Sequence, residues 1–339
     1  MSMIRSAQVT EPGGPFSIAE HEMPEPGRSQ VRVIVEACGV CHSDSTFVNA
    51  EFPDVKFPLV TGHEIAGRVD TLGDGVEGSI PGDRVAIGWF GGNCGNCPAC
   101  REGDFIHCER LQVPGYSYPG GYSEAVIVPA NALARIPDAI SAVEAAPMGC
   151  AGVTTFNALR RSAARPGDLV AVLGLGGLGH LGVQFASKLG FETVAIARGG
   201  TRAALATQLG AHHYIDSTAG NVARQLQALG GAKVVLATAA SSAAMTATID
   251  GLRRGGELIV IGAVPEPIQV SPLQIIAASK AVHGHPSGTA FEVEETLHFA
   301  ALTGVRPMTE IRPLDDVQAA YDRMASGDAR FRMVLTTGK

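Results

Sequence analysis

The sequence predicts an α/β protein of two domains, the first rich in β-strands and the second built on a doubly wound parallel sheet. Three observations lead to this prediction. The chain has 339 residues, more than one small core requires. Short β-branched runs separated by Gly, Pro and Asp fill its first 150 residues. Beyond Cys150, apolar runs alternate with helical segments, a pattern typical of a parallel sheet with helices on both faces.

The first half of the chain favours strands because β-branched residues recur there with partial period-two alternation. Turn sequences such as Leu72-Gly73-Asp74-Gly75 and Pro81-Gly82-Asp83 separate the runs. We therefore expect a compact, partly open barrel. Its predicted strands are residues 31–37, 65–72, 84–87 and 125–128.

The second half predicts parallel strands at residues 169–173, 193–197, 233–238 and 257–261, each apolar enough to be buried on both faces. The last 50 or so residues predict helices near 293–302 and 315–326 and a final strand at 331–335. These elements do not make a domain alone. We expect them to complete the first domain.

Composition and charge restrict the possible partners. The count of Lys and Arg is 26 against 33 Asp and Glu, and the net charge of -7 disfavours nucleic acid as a partner. No apolar stretch reaches the roughly 18 residues of a membrane span, and no signal peptide precedes the first strands, so we expect a cytoplasmic protein without membrane contact. Seven cysteines in a reducing compartment, four of them crowded together, favour metal binding over disulfides.

A glycine motif opens the second domain. The segment Gly174-Leu175-Gly176-Gly177-Leu178-Gly179 follows a predicted strand and precedes a helix with apolar residues at three- and four-residue spacing. The first glycine permits a tight turn, the second lets a diphosphate approach the backbone, and the third lets helix and strand pack closely. A merely structural glycine turn is the alternative. The motif predicts a nicotinamide or flavin dinucleotide without choosing between them.

The four crowded cysteines predict a closed metal site. Cys94, Cys97, Cys100 and Cys108 supply four thiolates within fifteen residues, which is enough to saturate a tetrahedral zinc ion that braces a loop without secondary structure. An iron–sulfur cluster is disfavoured because seven residues, not three, precede the fourth cysteine, and Glu109 follows it in place of proline. A nucleic-acid-binding zinc ribbon is disfavoured by the acidic residues around the site.

A second set of candidate ligands is scattered along the chain: Cys41, His63 with Glu64, and Cys150. Two thiolates and one imidazole leave one coordination position of zinc free, as a catalytic site requires, and this ligand set is associated with alcohol dehydrogenation. Singly, each of these residues is more often structural. Their combination favours a catalytic zinc ion, whereas Cys38 has no partner in the scheme and is assigned to packing.

These motifs together resemble the zinc-containing alcohol dehydrogenases of the medium-chain dehydrogenase/reductase family over essentially the whole chain. They are Gly-His-Glu-x-x-Gly at 62–67, the four cysteines at 94–108, Cys150-Ala-Gly-Val-Thr-Thr and the glycine motif at 174–179, in the family's order. The resemblance implies a GroES-like catalytic domain at 1–150, completed by 286–339, a Rossmann domain at 151–285, and an active site in the cleft.

The resemblance also implies roles for residues around the metal. Cys41, His63 and Cys150 would hold the catalytic zinc ion, and Glu64 would be a carboxylate that approaches the ion transiently. Asp44 would orient the imidazole. Ser43 would accept a proton from the substrate hydroxyl, while a hydride leaves for the nicotinamide. With the four-cysteine site, the prediction is two zinc ions per chain.

Cofactor contacts are implied in the same way. His42 would lie near the pyrophosphate, and Thr154 would pack against the nicotinamide ring. Other predicted contacts are Gly174, Gly176, Gly177, Leu178, Gly179, Ala197, Arg198, Arg202, Gly262, Ala263 and Val264.

The chain departs from the family in two places. Thr46 stands where many members have a His that ends the proton relay, so we expect the relay to end at a ribose hydroxyl, water or another base. Ala290 stands where a family Arg meets the pyrophosphate, which predicts looser cofactor binding or other donors.

The second predicted Rossmann strand indicates which cofactor binds. It ends in Ala197-Arg198, without the acid that binds a ribose 2′-hydroxyl in NAD enzymes. A guanidinium suits the extra phosphate of NADP. The sequence therefore favours NADP over NAD, and the alternative is that Arg198 points to solvent or stacks on adenine while NAD binds through backbone contacts.

Two functions other than alcohol dehydrogenation are also compatible with these motifs. One is another activity of the same family, aldehyde reductase or polyol dehydrogenase, although polyol enzymes commonly have a carboxylate at the position of Cys150. The other is a dinucleotide-binding sensor without catalysis, which the complete ligand set disfavours. The resemblance implies a homo-tetramer. The sequence does not identify the physiological alcohol. Four aromatic residues suit a substrate pocket and the core equally well: Phe47, Trp89, Phe90 and Tyr116.

Overall fold

The computed structural model describes residues 2–339, and the chain divides into two compact units. Unit 1 consists of the chain up to Val153 together with Ser287–Lys339, and unit 2 of Thr154–Pro286. Unit 1 is rich in sheet and unit 2 contains a parallel sheet with helices, so the predicted fold class is confirmed.

The strands and helices follow in chain order. The strands are β1 (Met3–Val9), β2 (Phe16–Glu22), β3 (Gln30–Val40), β4 (Glu64–Leu72), β5 (Arg84–Ile87), β6 (Ala125–Pro129), β7 (Ala134–Arg135), β8 (Leu169–Leu173), β9 (Glu192–Ala197), β10 (His213–Asp216), β11 (Ala232–Ala237), β12 (Leu252–Val260), β13 (Ala281–Gly284), β14 (Thr309–Pro313) and β15 (Arg332–Thr336). The helices are α1 (His42–Val48), α2 (Pro98–Arg101), α3 (Ala142–Ala145), α4 (Ala151–Arg160), α5 (Gly179–Lys188), α6 (Ala203–Gln208), α7 (Val222–Ala228), α8 (Ser242–Thr246), α9 (Pro272–Ile276), α10 (Ala290–Thr303) and α11 (Val317–Ala325).

Strand β3 is the centre of unit 1. The sheet order is β14-β15-β3-β4-β5-β7, β6 also pairs with β3, and β1 and β2 form a separate antiparallel ribbon. The alternate residues Val31, Val33 and Val35 of β3 are fully buried, as period-two alternation requires of a strand with one face in the core. Strand β15 pairs with β3, so the late residues of the chain do complete the sheet begun by the early ones.

Unit 2 is built on a parallel sheet in the order β10-β9-β8-β11-β12-β13. In order of appearance this is 3-2-1-4-5-6, the doubly wound arrangement in which ligands bind at the carboxyl ends of the strands, where the order reverses. The reversal lies between β8 and β11. All five residues of β8 are buried, because helices cover both faces of the sheet.

Several predicted strands are confirmed to within a residue or two, and two of them, Arg84–Ile87 and Leu169–Leu173, have the predicted bounds. Strand β12 begins at Leu252, five residues before its predicted start. Strands β1, β2, β7, β10, β13 and β14 were not predicted. Among residues 2–339, no helix has the length and apolarity needed to cross a bilayer.

Candidate active site and metal centres

The register of β3 and β4 brings two of the candidate ligands to the same edge of the sheet. Gly39 of β3 lies opposite Glu64 of β4, so Cys41, just past β3, and His63, just before β4, are near neighbours. Cys41 is the N-cap residue of α1. Cys150 reaches the same place from the turn between α3 and α4.

The structure brings Cys41, His63, Glu64 and Cys150 together, with one ligand atom of each within 4.8 Å of the others. The Sγ atoms of Cys41 and Cys150 are 4.0 Å apart, close to the roughly 3.8 Å expected of two thiolates on one tetrahedral zinc ion. Within residues 2–339, His63 Nε2 and Glu64 Oε2 are buried and have no hydrogen-bond partner. Buried polar atoms are rarely left without a hydrogen-bond partner, and this set of ligand atoms fits a metal cation.

Asp44 holds the imidazole of His63 from behind. The carboxylate is fully buried, and its Oδ1 lies 3.0 Å from His63 Nδ1, which leaves Nε2 facing the ligand group. Oδ1 also accepts hydrogen bonds from Thr61 Oγ1 at 3.0 Å and from the backbone N–H of Gly62 at 3.2 Å. Oδ2 accepts from the Cys41 N–H at 2.9 Å and from the Tyr122 hydroxyl at 3.0 Å. Five donors thus stabilise one buried charge.

Thr61 and Tyr122 were missed by the sequence analysis. Thr61 stands two residues before His63, next to the Gly-His-Glu motif. Tyr122 is 78 residues from Asp44, and no periodic pattern connects them. A fully buried tyrosine, whose hydroxyl needs a partner, is the signal that could have indicated it.

Arg332 was missed as well. Its Nη2 donates to Glu64 Oε1 at 2.7 Å and lies 3.7 Å from Cys41 Sγ. Both side chains of the Arg332–Glu64 pair are buried, at 8% and 0% exposure. A cation therefore stands next to a thiol and a carboxylate at the edge of the ligand group.

Burial and neighbouring charges shift the acid–base properties of the group. Burial raises the pKa of Glu64 to about 8, and the cation of Arg332 opposes that rise. The hydrogen bond with Cys150 is the largest cause of the lowered pKa of Cys41; burial opposes it, and the charges of Arg332 and His63 reinforce it. The site thus favours a thiolate at Cys41, the form that binds metal.

The second candidate centre is formed by the four crowded cysteines. The Sγ–Sγ distances are 4.0 Å for Cys94–Cys100, 3.9 Å for Cys97–Cys108 and 3.6 Å for Cys94–Cys108. All three are near the edge of a tetrahedron of zinc-bound thiolates, roughly 3.8 Å. The expectation that this segment lacks secondary structure is wrong: the helical turn α2 lies between Cys97 and Glu102, because Pro98 at its first position favours a helix start.

Residues of α1 around the ligand group have mixed exposure. Ser43 is half-buried and His42 is exposed. The hydroxyl of Thr46 donates to the Ser43 carbonyl oxygen at 2.8 Å, within the helix. That hydroxyl is therefore engaged with the backbone one turn away.

The aromatic residues considered for a pocket form a packed cluster beside His63. The ring of Trp89 meets the imidazole edge-on with centroids 5.2 Å apart. Phe47, fully buried, stacks between Trp89 at 5.6 Å and Tyr116 at 5.3 Å. Phe52 contacts all three rings and is 38% exposed. Phe47 is thus a core residue, and Trp89 is the member of the cluster that touches the ligand group.

The glycine motif of unit 2 forms the turn between β8 and α5. Gly174 has a φ of +99°, which favours glycine, and a Cβ at Gly179 would lie 2.0 Å from the Gly174 carbonyl oxygen. A Cβ at Gly176 would meet nothing within 4 Å. The first and third glycines are therefore needed for folding, whereas the space at the second is open for a ligand.

Other predicted cofactor residues of unit 2 follow the carboxyl ends of its strands. Ala197 ends β9 and is buried, and Arg198 after it is exposed. Arg202 donates through Nη1 to the Leu175 carbonyl oxygen at 2.8 Å, within the glycine turn. Thr154 on α4 is buried at 8% exposure. After β12 come Gly262, buried, Val264, half-buried, and Ala263, exposed.

Two family models match the chain. Residues 27–138 match the alcohol dehydrogenase GroES-like domain, and residues 177–301 match the zinc-binding dehydrogenase family. Among curated relatives, alcohol dehydrogenase patD of Penicillium expansum is 41% identical over 99% of this chain and 98% of its own. Aldehyde reductase AdhA of Synechocystis is 31% identical over 99% of this chain and 100% of its own.

Solved structures agree with this match. A zinc-binding dehydrogenase of Sinorhizobium meliloti, bound to NADP, has a TM-score of 0.90 at 27% identity and covers 99% of this chain and 100% of its own. A structure titled NAD-dependent alcohol dehydrogenase has a TM-score of 0.90 at 25% identity and covers 98% and 100%. The similar structures thus include examples of both nicotinamide cofactors.

Proposed function

The chain belongs to the zinc-binding alcohol dehydrogenases of the medium-chain dehydrogenase/reductase family, and we propose that Cys41, His63 and Cys150 hold the zinc ion at which its reaction takes place. The observation that carries this proposal is the group of Cys41, His63 and Cys150, in which the buried His63 Nε2 is left without a protein partner among the described residues. Zinc bound there lowers the pKa of an alcohol and polarises a carbonyl.

The protein residues then have distinct tasks. Asp44 fixes the tautomer of His63 by accepting from Nδ1, so that Nε2 offers its lone pair. Ser43 would accept the proton of the substrate hydroxyl and pass its own proton on, and a bound nicotinamide would supply the acceptor for the carbinol hydrogen, which would leave as hydride. The alcohol is oxidised to an aldehyde or ketone while the cofactor is reduced. Trp89, beside His63, keeps water from one side of the ligand group.

The four-cysteine centre has a structural task in this proposal. Four thiolates leave no position for a substrate, and the segment has only two short helical turns, α2 and a 3-10 turn at Phe105–His107, to hold it. We therefore expect two zinc ions per chain, one needed for turnover and one for folding.

Metal analysis combined with two variants tests the two-site proposal. His63→Ala should abolish turnover, leave one zinc ion bound and lower the melting temperature only modestly, through the loss of one donor to Asp44. Cys108→Ser should lower the melting temperature sharply, because three thiolates bind zinc less well than four. One ion per wild-type chain, or the same loss of stability in both variants, would refute the division into a catalytic and a structural site.

The cofactor proposed is NADP in preference to NAD. No carboxylate ends β9, where NAD enzymes bind the ribose 2′-hydroxyl, and the exposed Arg198 there offers a fork for a 2′-phosphate. The test of this proposal compares kcat/KM for both cofactors in the wild type, Ala197→Asp and Arg198→Ala. The matched control is Arg254→Ala, an exposed arginine near the opposite, amino-terminal end of β12.

Arg198→Ala should weaken NADP use without weakening NAD use, Ala197→Asp should reverse the preference, and Arg254→Ala should change neither. A wild type that prefers NAD, with Arg198→Ala indifferent to the 2′-phosphate, would contradict the proposal.

The relative named aldehyde reductase favours a second candidate activity, the reduction of aldehydes in the cell. Initial rates in both directions with short, long and aromatic alcohols and aldehydes distinguish the two. We also propose a homo-tetramer, which light scattering tests.

A further inference from the structure

The Arg332–Glu64 pair is fixed by three neighbouring strands. Met333 of β15 lies opposite Val40 of β3, so the antiparallel register places Arg332 beside Cys41. On the other side of β3, Glu64 lies opposite Gly39. A guanidinium from one flanking strand thus meets a carboxylate from the other, across the end of β3.

Glu64 occupies a space that Gly39 provides. A Cβ at Gly39 would lie 2.0 Å from Glu64 Oε2 and 3.0 Å from both its Cβ and its Cδ. The φ of Gly39 lies outside the left-handed region, so its backbone does not require glycine. A side chain at position 39 would remove the space that the Glu64 carboxylate occupies.

The charges explain why the carboxylate needs to be held. Two thiolates and a zinc dication sum to zero, so a further buried carboxylate makes the group an anion, and the metal attracts that carboxylate into its fourth coordination position. The cation of Arg332 offsets the charge of Glu64 and binds its Oε1 at 2.7 Å. A buried ion pair of this kind is costly to break, because removal of one partner leaves an uncompensated charge.

We propose that Arg332 is a positioning residue which, together with the space at Gly39, holds the Glu64 carboxylate off the metal and so keeps one coordination position open for the substrate oxygen. This inference rests on the zinc ligands proposed above. It predicts that any change that displaces Glu64 closes the site to oxygen ligands, whether the change removes the guanidinium or fills the space.

The test uses protein with cobalt in the Cys41 site and zinc in the four-cysteine site, and its readout is the cobalt absorption spectrum. Trifluoroethanol is titrated into the wild type, Arg332→Met and Gly39→Ala, and the rate of cobalt loss to a chelator is measured for each. Both variants should bind trifluoroethanol roughly tenfold or more weakly and release cobalt more slowly, since Glu64 takes the fourth position. Glu64→Gln added to either variant should restore the trifluoroethanol affinity and the rate of cobalt loss to those of the wild type.

The control is Arg323→Met, which breaks the Arg323–Glu310 ion pair elsewhere in unit 1 and should change neither value. Retention of the four-cysteine zinc reports folding. If Arg332→Met does not fold, Gly39→Ala decides, because it keeps both charges. Unchanged trifluoroethanol binding in the variants, or a loss that persists with Glu64→Gln, would overturn the positioning role while leaving the zinc site intact. A wild type that takes up no cobalt at Cys41 would refute the proposed function itself.

Discussion

Replacing Asp44 by Asn is the sharpest test of how the ligand group is supported. Asn keeps the shape of the Asp side chain but has one carbonyl oxygen in place of two carboxylate oxygens. If that oxygen keeps the three donors at Oδ1, the amide NH₂ faces the Cys41 N–H and the Tyr122 hydroxyl. The hydroxyl can rotate and accept, whereas the N–H cannot.

The magnitude follows from those contacts. A lost hydrogen bond to a charged group costs about 1.5–3 kcal/mol and an orphaned buried N–H about 1–3 kcal/mol, so we expect a loss of roughly 3–5 kcal/mol. For a unit of this size each kcal/mol lowers the melting temperature by about 2–4 °C. The melting temperature should therefore fall by at least about 6 °C. Zinc affinity at the Cys41 site should fall about 10–100-fold, since His63 loses the group that orients it.

The assay is thermal unfolding of metal-free protein together with a zinc titration in competition with a chelator. Tyr122→Phe is the graded control, because it removes one donor and leaves the charge and four hydrogen bonds; it should cost about 1.5–3 kcal/mol. Burial, reinforced by Asp44, raises the pKa of Tyr122, so the hydroxyl is a neutral donor in the wild type. Asp44→Asn melting within about 2 °C of wild type, or costing less than Tyr122→Phe, would refute the reasoning.

Two further predictions concern other parts of the chain. Gly179→Ala should destabilise unit 2, since its Cβ would lie 2.0 Å from the Gly174 carbonyl oxygen, whereas Gly176→Ala should leave stability unchanged and weaken dinucleotide binding; thermal unfolding and a fluorescence titration measure the two effects. Glu124 has a lowered pKa, because burial, which raises it, is outweighed by hydrogen bonds from Arg5. Its contribution to stability is thus present above the unfolded pKa near 4.3 and lost as pH falls through the folded value. Glu124→Gln should flatten the fall in melting temperature below about pH 4.5, and an unchanged slope would contradict this.

Local patterns predicted the fold class because they are properties of consecutive residues. Strand β8 is five apolar residues followed by the glycine turn, and both features are visible without the rest of the chain. Strand β2 was missed because most of its residues are exposed, so no apolar run marks it. Edge strands of this kind are weakly encoded in apolar pattern.

The support of the ligand group could be predicted only in part. Asp44 lies three residues from Cys41 and was expected to orient His63, and the structure places its Oδ1 against Nδ1. Arg332 is separated from Glu64 by 268 residues, and Tyr122 from Asp44 by 78. Such contacts depend on the register of β3 with its neighbours, which no local pattern of apolar residues determines.

The pairing of β15 with β3 gives the two units different histories during synthesis. Unit 2 is continuous in sequence, so all of its strands have left the ribosome once residue 286 has emerged. Unit 1 lacks β15 until residue 336 follows, and until then residues 37–40 of β3 lack their partner strand on that edge and Glu64 has no counter-ion. The surroundings of the Cys41 group are therefore complete only when the last strand has emerged.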